Sequence, residues 1–526
     1  MKYRIIYIAC LLSIIALSGQ AQQETWTWTF GDGAGLTWNN ICTLNGQGVY
    51  GTTENSPLIM PIQARSGMKT KEGCFTISDP QGNLLCYSDG SKVWDRTHAI
   101  MPGGEAGNFS GDEDSAQSGI FFPYPGSSSK YVMITISPYS DNIMMYGIID
   151  MNPATNGGHE NGAVTSTGTF SGQTGKLGES VSAIRHSNGS DYWVVAPGTG
   201  TGTTAFNAWR VTSSGVQATS PVKSTLPINI KSFTDGGTYG YVKFSKDSRT
   251  ILWGSGYATI TGGYGCFFLG DFNPSTGSVT NIKYRTLKKT ITPTPMVHQP
   301  VYFYSAEFSP SGKYLYTTSN GVAIYSSSQD YWGLMEVFDF EELKNDPENA
   351  IPKASYTSNM YMGAAQLTPD GRIFISENKE GLDIIENPDE AENLRIYHIS
   401  NTSLFSDYIS ARAALPNFLA NYFYDSNLIG NRHFCLNTNQ LFILNITNTG
   451  IDLSYTKWDF GDGSSIETGG SSLMQSKPHI YTESGSYTIS VKCYDANDTE
   501  IPHGSKTLQI YVDHCSMPVN PNIHLY

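Results

Sequence analysis

A strand–turn–strand pattern recurs along this chain and limits the folds that are available to it. In the clearest copy, apolar residues alternate on both sides of the turn Pro310-Ser311-Gly312, from Ser305 to Ser319. Alternation that stops at a tight turn and then resumes predicts a β-hairpin. Copies with the same plan lie at Gly73–Gly90, Ser182–Pro197, Tyr241–Ser255 and Gly363–Asn378, and weaker ones lie at Ser118–Ser137 and near Arg412–Tyr424.

The spacing of these hairpins predicts an architecture. They start near residues 73, 118, 182, 241, 305, 363 and 412, which gives seven repeats between about residues 24 and 425. Each repeat has room for a four-stranded sheet, and small sheets set around an axis form a β-propeller. We therefore predict an all-β chain whose residues 22–425 form a seven-bladed β-propeller, with Glu24–Phe30 completing the last blade. A linear β-solenoid would need shorter and more uniform repeats.

The pattern changes after Tyr424. Asp425–Arg432 is predicted to be a polar connector, residues 433–513 to be an Ig-like β-sandwich, and residues 514–526 to be an irregular tail. Four strands of the sandwich are predicted at Gln440–Ile446, Thr456–Phe460, Ser486–Lys492 and Lys506–Val512.

Two motifs in the sandwich resemble a known family. Residues 458–463 read Trp-Asp-Phe-Gly-Asp-Gly, and residues 479–491 contain His-Ile-Tyr followed by Gly-Ser-Tyr-Thr-Ile-Ser-Val. Together they resemble the PKD domain, an Ig-like module of extracellular proteins. Trp458 and Phe460 should face the core on one strand, and alternating residues of 487–491 should face it from the opposite sheet. Asp459 and Asp462 could bind a cation, but turn capping is favoured.

The first part of the chain carries a similar segment and a second resemblance. Residues 28–33 read Trp-Thr-Phe-Gly-Asp-Gly without the second half of the PKD motif, so we interpret them as a propeller strand and its turn. Residues 72–94 and the run Ala-Leu-Pro-Asn-Phe at 414–418 are similar to large secreted bacterial proteins that join an N-terminal propeller to PKD modules. Such proteins are common in bacteria with type IX secretion and gliding-type surface proteins. The resemblance implies an exported or cell-surface protein and assigns no catalytic residue.

The N-terminus is typical of a secretory signal peptide over residues 1–21. Lys2 and Arg4 precede the apolar run Ile5–Leu17, and Gly19-Gln20-Ala21 supplies small residues for cleavage. The run is short for a membrane span, although a single-pass anchor is the alternative. The formal net charge of −14 argues against nucleic-acid binding, because phosphate backbones are also negative.

The cysteines place few constraints on the fold. Seven remain after the predicted signal peptide, and an odd number in an exported protein leaves at least one unpaired thiol. Cys74 and Cys86 share one hairpin, but neither turn length brings their Cβ atoms to disulfide distance, so we predict no bridge between them. A metal site built from a C-x-x-C motif is excluded, because the chain contains none.

Motifs for catalysis are missing as well. The sequence contains no His-Glu-x-x-His, no P-loop and no Gly-x-Ser-x-Gly elbow. No catalytic residue and no cofactor is therefore assigned, and whether the chain binds a metal is left open. The acidic run Asp112-Glu113-Asp114 could hold calcium, but a solvated loop is favoured. Tyr331 and Trp332 could stack on sugar rings, but packing between blades is favoured. Four polar residues near blade ends could line the axial opening, though turn closure is favoured: Glu72, Asp89, Asp95 and His98.

Two kinds of function fit these features. The leading hypothesis is a non-enzymatic secreted or cell-surface adhesion protein, in which the propeller is a rigid platform for an extracellular protein or carbohydrate and the PKD domain is a spacer or second contact module. The alternative is a lactonase-like hydrolase or lyase with acidic or histidine side chains meeting at the propeller axis. A purely architectural surface role is a third option.

Overall fold

The computed structural model describes residues 23–199, 203–227, 240–258, 264–287, 302–325, 328–406, 409–413, 415–423, 427–446, 452–501 and 504–515. The predicted signal peptide and most of the predicted tail lie outside these residues. Strands dominate the described part, so the all-β prediction is confirmed. No helix in these ranges is long and apolar enough to cross a membrane. The helices are short: α1 (Phe340–Asn345), α2 (Asn401–Leu404), and 3-10 turns at Ala391–Asn393 and Ala420–Phe423.

Before residue 425 the strands form successive antiparallel groups. The first three groups are β1 (Thr27–Phe30), β2 (Ala34–Val49) and β3 (Ser56–Gln63); β4 (Phe75–Ser78), β5 (Leu84–Ser88) and β6 (Val93–Asp95); and β7 (Gly119–Pro123), β8 (Lys130–Ile136), β9 (Met144–Asp150) and β10 (Ala163–Thr169). The fourth group is β11 (Lys176–Leu177), β12 (Ser182–Arg185), β13 (Tyr192–Thr199), β14 (Ala205–Thr212), β15 (Gly215–Val216) and β16 (Val222–Thr225).

Three further groups have four strands each. They are β17 (Val242–Phe244), β18 (Thr250–Ala258), β19 (Tyr264–Phe272) and β20 (Val279–Thr286); β21 (Tyr302–Phe308), β22 (Tyr314–Tyr325), β23 (Ser328–Asp339) and β24 (Ala354–Ser358); and β25 (Met362–Leu367), β26 (Ile373–Glu377), β27 (Gly381–Ile385) and β28 (Ile396–Ser400).

Six of the seven predicted hairpins are confirmed by the strand pairing. They are β4–β5, β7–β8, β12–β13, β17–β18, β21–β22 and β25–β26. The predicted hairpin near Arg412–Tyr424 is wrong, because residues 409–413 and 415–423 contain no strand. Leu415 and Phe418 are buried but belong to no strand, so the apolar pattern reflects an irregular buried segment and not a hairpin.

The first and last groups share one continuous sheet. One end of β2 pairs with β1 and β3, and its other end pairs with β28, where Gln47 lies opposite His398. The prediction that Glu24–Phe30 completes the last blade therefore holds only indirectly, since β1 reaches β25–β28 through β2. We call the first hairpin strand of each group its leading strand: β1, β4, β7, β12, β17, β21 and β25. Neighbouring groups contact each other through these strands or the strand that follows.

A buried ion pair ties three leading strands together. Lys243 Nζ on β17 lies 2.9 Å from Glu307 Oε2 on β21 and donates to Gln366 Oε1 on β25 at 2.8 Å. Both charged side chains are less than a tenth exposed. The backbone N–H groups of Phe308 and Leu367 also donate to the Glu307 carboxylate. Because each charge keeps several partners, the pair is compatible with burial.

The remaining strands form a β-sandwich. One sheet contains β29 (Asn427–Ile429), β31 (Asn439–Asn445) and β34 (Met474–Ile480), and the other contains β30 (His433–Cys435), β32 (Tyr455–Asp459), β33 (Glu467–Gly469), β35 (Gly485–Tyr494) and β36 (Lys506–Asp513). The four predicted strands are confirmed to within two residues. Trp458, Phe460, Ile489 and Val491 are all buried. Trp458 pairs directly with Val491, however, so the expectation of opposite sheets is wrong.

The sandwich is fastened to the first part of the chain. Arg432 donates to the Gln81 carbonyl at 2.6 Å, and its guanidinium lies 4.9 Å from the Trp26 ring centre. The Ile41 N–H donates to Asn431 Oδ1 at 2.8 Å. The prediction of a polar connector at Asp425–Arg432 is partly wrong, because the buried strand β29 lies within it and pairs with β31.

One disulfide joins Cys435 to Cys515, 80 residues apart, and so links the start of the sandwich to the end of β36. Cys74 and Cys86 are both buried and unbridged, as predicted. The other free thiols are Cys42, Cys266 and Cys493.

Candidate functional site

The segment 409–423 lies among the leading strands, and we call it the central segment. The Asp32 N–H, just after β1, donates to the Ser410 carbonyl at 3.0 Å, and the Ala364 N–H of β25 donates to the Ala413 carbonyl at 2.7 Å. Gly363 is required here, since a Cβ at this position would collide with the Ala413 carbonyl. Residues 415–418 of the run that resembled a propeller terminus therefore lie buried among the leading strands.

Asn417 is the main polar anchor of the central segment. Its backbone N–H donates to the Cys74 carbonyl at 3.1 Å, and its side-chain amide donates to the carbonyls of Gly119 and Val181 at 2.9 and 3.0 Å. Its side-chain oxygen accepts from Gln117, whose amide also exchanges hydrogen bonds with the backbone of Val242. The two amide side chains and the Asn417 backbone N–H thus connect residues at or beside four leading strands.

Two carboxyl groups lie at the N-terminal ends of the leading strands. Glu72 precedes β4 and is partly exposed, whereas Glu179 precedes β12 and is buried. Burial raises the pKa of Glu72 to about 7, against an opposing effect from the Tyr304 hydroxyl. Burial and the nearby charge of Glu72 raise the pKa of Glu179 to about 8. Near neutral pH these groups can therefore exchange protons, a property common at functional sites.

Tyrosines lie near Glu72, and we call the group Glu72, Glu179, Tyr241, Tyr304 and Tyr361 the acid–tyrosine cluster. The rings of Tyr241 and Tyr304 are 5.8 Å apart, and those of Tyr304 and Tyr361 are 5.6 Å apart. Burial holds the pKa of the Tyr241 and Tyr304 hydroxyls well above the usual value, so both keep their protons. Glu179 Oε2 and the Tyr241 hydroxyl are buried and make no hydrogen bond. Unsatisfied buried polar atoms of this kind call for an explanation.

The predicted polar residues divide between this cluster and ordinary turns. Of the four residues near blade ends, only Glu72 belongs to the cluster. Asp89 accepts from the N–H groups of Ser91 and Lys92, and Asp95 accepts from that of Thr97, so both close turns as favoured. His98 Nδ1 lies 3.0 Å from the Tyr87 hydroxyl.

The acidic run Asp112-Glu113-Asp114 lies beside Glu72, and we call it the acidic rim. Glu113 and Asp114 are exposed, and the Glu113 carbonyl accepts from the N–H groups of Glu72 and Gly73. Lys71 pairs with Asp114 at 2.8 Å. The favoured interpretation as a solvated loop agrees with this exposure.

Of the two aromatic residues considered for sugar stacking, only the side chain of Trp332 is described. Trp332 is partly buried against the cluster of Phe267, Phe303 and Phe338. The side chain of Tyr331 lies outside the described residues.

Aspartates of the sandwich motif serve the fold. Asp459 accepts from the Gly461 N–H at 2.9 Å, and Asp462 accepts from the Ser464 N–H at 3.0 Å. Asp462 also lies 2.7 Å from His479 Nε2, and this hydrogen bond contributes to a lowered pKa of the Asp462 carboxyl, against the opposing effect of burial. Turn capping, the favoured prediction, is confirmed for both.

Sequence reasoning missed a second group with metal-ligand chemistry, formed by Glu377, Asp383 and His398 on β26, β27 and β28. One donor atom from each lies within 4.8 Å of the others. The only sequence signal was strand alternation, since the three residues share no motif and meet through cross-strand register.

Comparisons with known proteins identify the second part of the chain. Residues 430–499 match the PKD domain family. The sandwich is therefore a PKD domain, as its two motifs indicated. The comparison with curated proteins finds no match.

Three solved structures share a distant likeness. A protein from Lactobacillus plantarum is 8% identical with a TM-score of 0.32, covering 72% of this chain and 99% of that chain. The extracellular domain of a putative hybrid two-component system from B. thetaiotaomicron is 11% identical with a TM-score of 0.25, covering 86% and 58%. The extracellular domain of a putative one-component system from the same organism is 8% identical with a TM-score of 0.19, covering 96% and 98%. Scores this low support no argument about fold or ligand.

Proposed function

We propose that this chain is a non-enzymatic extracellular or cell-surface binding protein, exported through a signal peptide at residues 1–21. In this proposal residues 22–425 form a seven-bladed β-propeller, and the PKD domain occupies 433–513. The seven leading strands, their neighbour contacts and the β2–β28 pairing support a closed ring. A ring leaves few free strand edges, which suits a rigid platform.

The position of the acid–tyrosine cluster carries the proposal. The cluster lies at the N-terminal ends of the leading strands. The PKD domain instead contacts the turns at their opposite ends, where Asn427 donates to the Pro369 carbonyl at 3.0 Å and Arg432 to the Gln81 carbonyl. The face around Glu72 and the rim at Glu113 is therefore free of the PKD domain and available to a ligand.

The chemistry of this face favours a neutral carbohydrate. Glu72 and Tyr361 are the partly exposed members of the cluster. A carboxyl group that can be protonated near neutral pH and a tyrosine hydroxyl both donate and accept hydrogen bonds, as sugar hydroxyls do. The acidic rim Asp112–Asp114 would repel an anionic ligand. A cationic protein segment is the other ligand that this charge would attract.

Binding to immobilised glycans and matrix proteins tests the proposal. The charge reversal Glu113→Lys alters the exposed rim without touching the buried acids. Glu392→Lys is the matched control, because Glu392 is also exposed but precedes β28 at the end of the sheet that faces the turns. We expect at least one ligand that binds the wild type and the control with equal affinity. Its affinity for Glu113→Lys should be at least fivefold weaker or stronger. Equal binding by all three proteins would refute this face, and the absence of any ligand would refute the binding function.

An acid–base hydrolase is a second candidate, favoured by the proximity of Glu72 and Glu179 and by their raised pKa values. A protonated carboxyl group can act as a general acid toward a glycosidic or ester bond. Incubating the bound ligands and a panel of lactones with the protein, and comparing wild type with Glu72→Gln, tests it. Product release that disappears in Glu72→Gln would replace the binding proposal with catalysis.

A further inference from the structure

The cluster of Glu377, Asp383 and His398 is held by sheet register. Asp383 on β27 pairs directly with His398 on β28, and it also pairs with Ile375 on β26. Glu377 lies two residues beyond Ile375, so its side chain projects from the same face of the sheet. Three paired strands therefore fix the positions of the donor groups before any ligand arrives, which lowers the cost of assembling a site.

The distances match a coordination shell. His398 Nδ1 lies 2.9 Å from Asp383 Oδ1 and 3.5 Å from Glu377 Oε2. Ligands held about 2.1 Å from a metal ion are roughly 3.0 to 3.5 Å from each other in octahedral and tetrahedral shells. All three donor atoms lie within 4.8 Å of one another, so side-chain adjustments can bring them to one ion while the backbone stays in place.

The charge of the cluster also calls for a cation. Glu377 and Asp383 are buried, and His398 is partly exposed. Among the described residues, no Lys or Arg forms an ion pair with either carboxylate. Two buried carboxylates without a Lys or Arg partner favour a bound cation.

Two hydroxyl groups complete the surroundings. The Tyr50 hydroxyl lies 3.2 Å from Glu377 Oε1 and 3.1 Å from Asp383 Oδ2, and the Ser358 hydroxyl donates to Glu377 Oε1 at 2.9 Å. They hold the outer oxygens and leave Oε2 of Glu377 and Oδ1 of Asp383 turned toward His398. Hydrogen bonds of this kind orient the ligands of metal sites.

We propose that Glu377, Asp383 and His398 bind a single divalent transition-metal ion of the zinc type, with water completing the shell. One imidazole nitrogen and two carboxylates suit zinc, cobalt or manganese, whereas calcium prefers oxygen ligands alone.

Isothermal titration of the tag-free full chain with ZnCl2 tests the site. We expect one ion per chain, and His398→Gln and Asp383→Asn should weaken binding at least 30-fold. His433→Gln is the matched control, because His433 pairs with Asp513 in an exposed histidine–aspartate pair on the PKD domain. Its zinc affinity should match that of the wild type.

Two further measurements keep the test independent of folding defects in the variants. Cobalt should give visible d–d absorption on the wild type, with a 1:1 endpoint that zinc abolishes, and CaCl2 should raise the melting temperature by less than 1 °C. Zinc affinity that is equal in wild type and His398→Gln, the absence of a 1:1 cobalt endpoint, or a larger shift with calcium than with zinc would each overturn the proposal.

Discussion

Replacing Lys243 by Met should destabilise the first part of the chain strongly, because the Glu307 carboxylate would keep its charge and lose its cation. The pair is 2.9 Å apart and less than a tenth exposed on both sides. Breaking a buried pair from one side costs about 3–5 kcal/mol. The Phe308 and Leu367 N–H groups remain as donors to Glu307 and place the expected loss nearer about 3 kcal/mol.

Urea denaturation followed by tryptophan fluorescence measures this loss as a lower transition midpoint. The double variant Lys243→Met/Glu307→Gln removes both charges and should recover all but about 1 kcal/mol. Lys353→Met is the matched control, because Lys353 pairs with Glu342 at a similar distance, 2.8 Å, but on the surface, where solvent screens such pairs and they contribute little to stability. If Lys243→Met cost no more than Lys353→Met, the reasoning about burial would be refuted.

Two further predictions concern pH and the disulfide. The pKa of Glu179 is raised from 4.5 to about 8 in the folded state. The protonated carboxyl therefore stabilises the folded state fully below pH 4.5, and this stabilisation is lost as the pH rises through 8. The melting temperature of Glu179→Gln should therefore rise relative to the wild type between pH 6 and pH 9; a constant difference would contradict this. Replacing Cys435 and Cys515 by Ser should destabilise the PKD domain by about 2–4 kcal/mol, since the bond closes an 80-residue loop. The control Cys42→Ala breaks no disulfide and should not destabilise the PKD domain. If urea denaturation showed the same loss of stability for Cys42→Ala as for the double Ser variant, it would argue against the disulfide.

Local patterns gave the part of the fold that could be predicted. The hairpin around Pro310–Gly312 is encoded by its own turn and flanking alternation, and so are the other five that appear. The apolar run at Leu415–Phe418 misled because its burial comes from surrounding strands, not from a sheet of its own. Likewise, the alternation around Trp458 and Val491 predicted that both residues face the core. It did not predict that they pair with each other, since strand pairing depends on distant parts of the chain.

The candidate sites were harder to predict for the same reason. Glu72 was identified as a polar residue near a blade end, but its partner Glu179 carried no motif. His398 and Asp383, 15 residues apart, become neighbours only through the register of β27 and β28. Proximity of this kind is a property of the assembled sheets, and a single sequence offers no direct sign of it.

The bond between Cys435 and Cys515 determines how the protein carries mechanical load. Tension on the chain beyond Cys515 passes through the sulfur atoms to Cys435 and bypasses residues 436–514. Cys435 stands three positions after Arg432, which is fastened to Gln81 and Trp26. Pulling at that end therefore loads β30, β29 and the junction with the first part of the chain. As long as the disulfide is intact, the strands between Cys435 and Cys515 carry no tension along the chain.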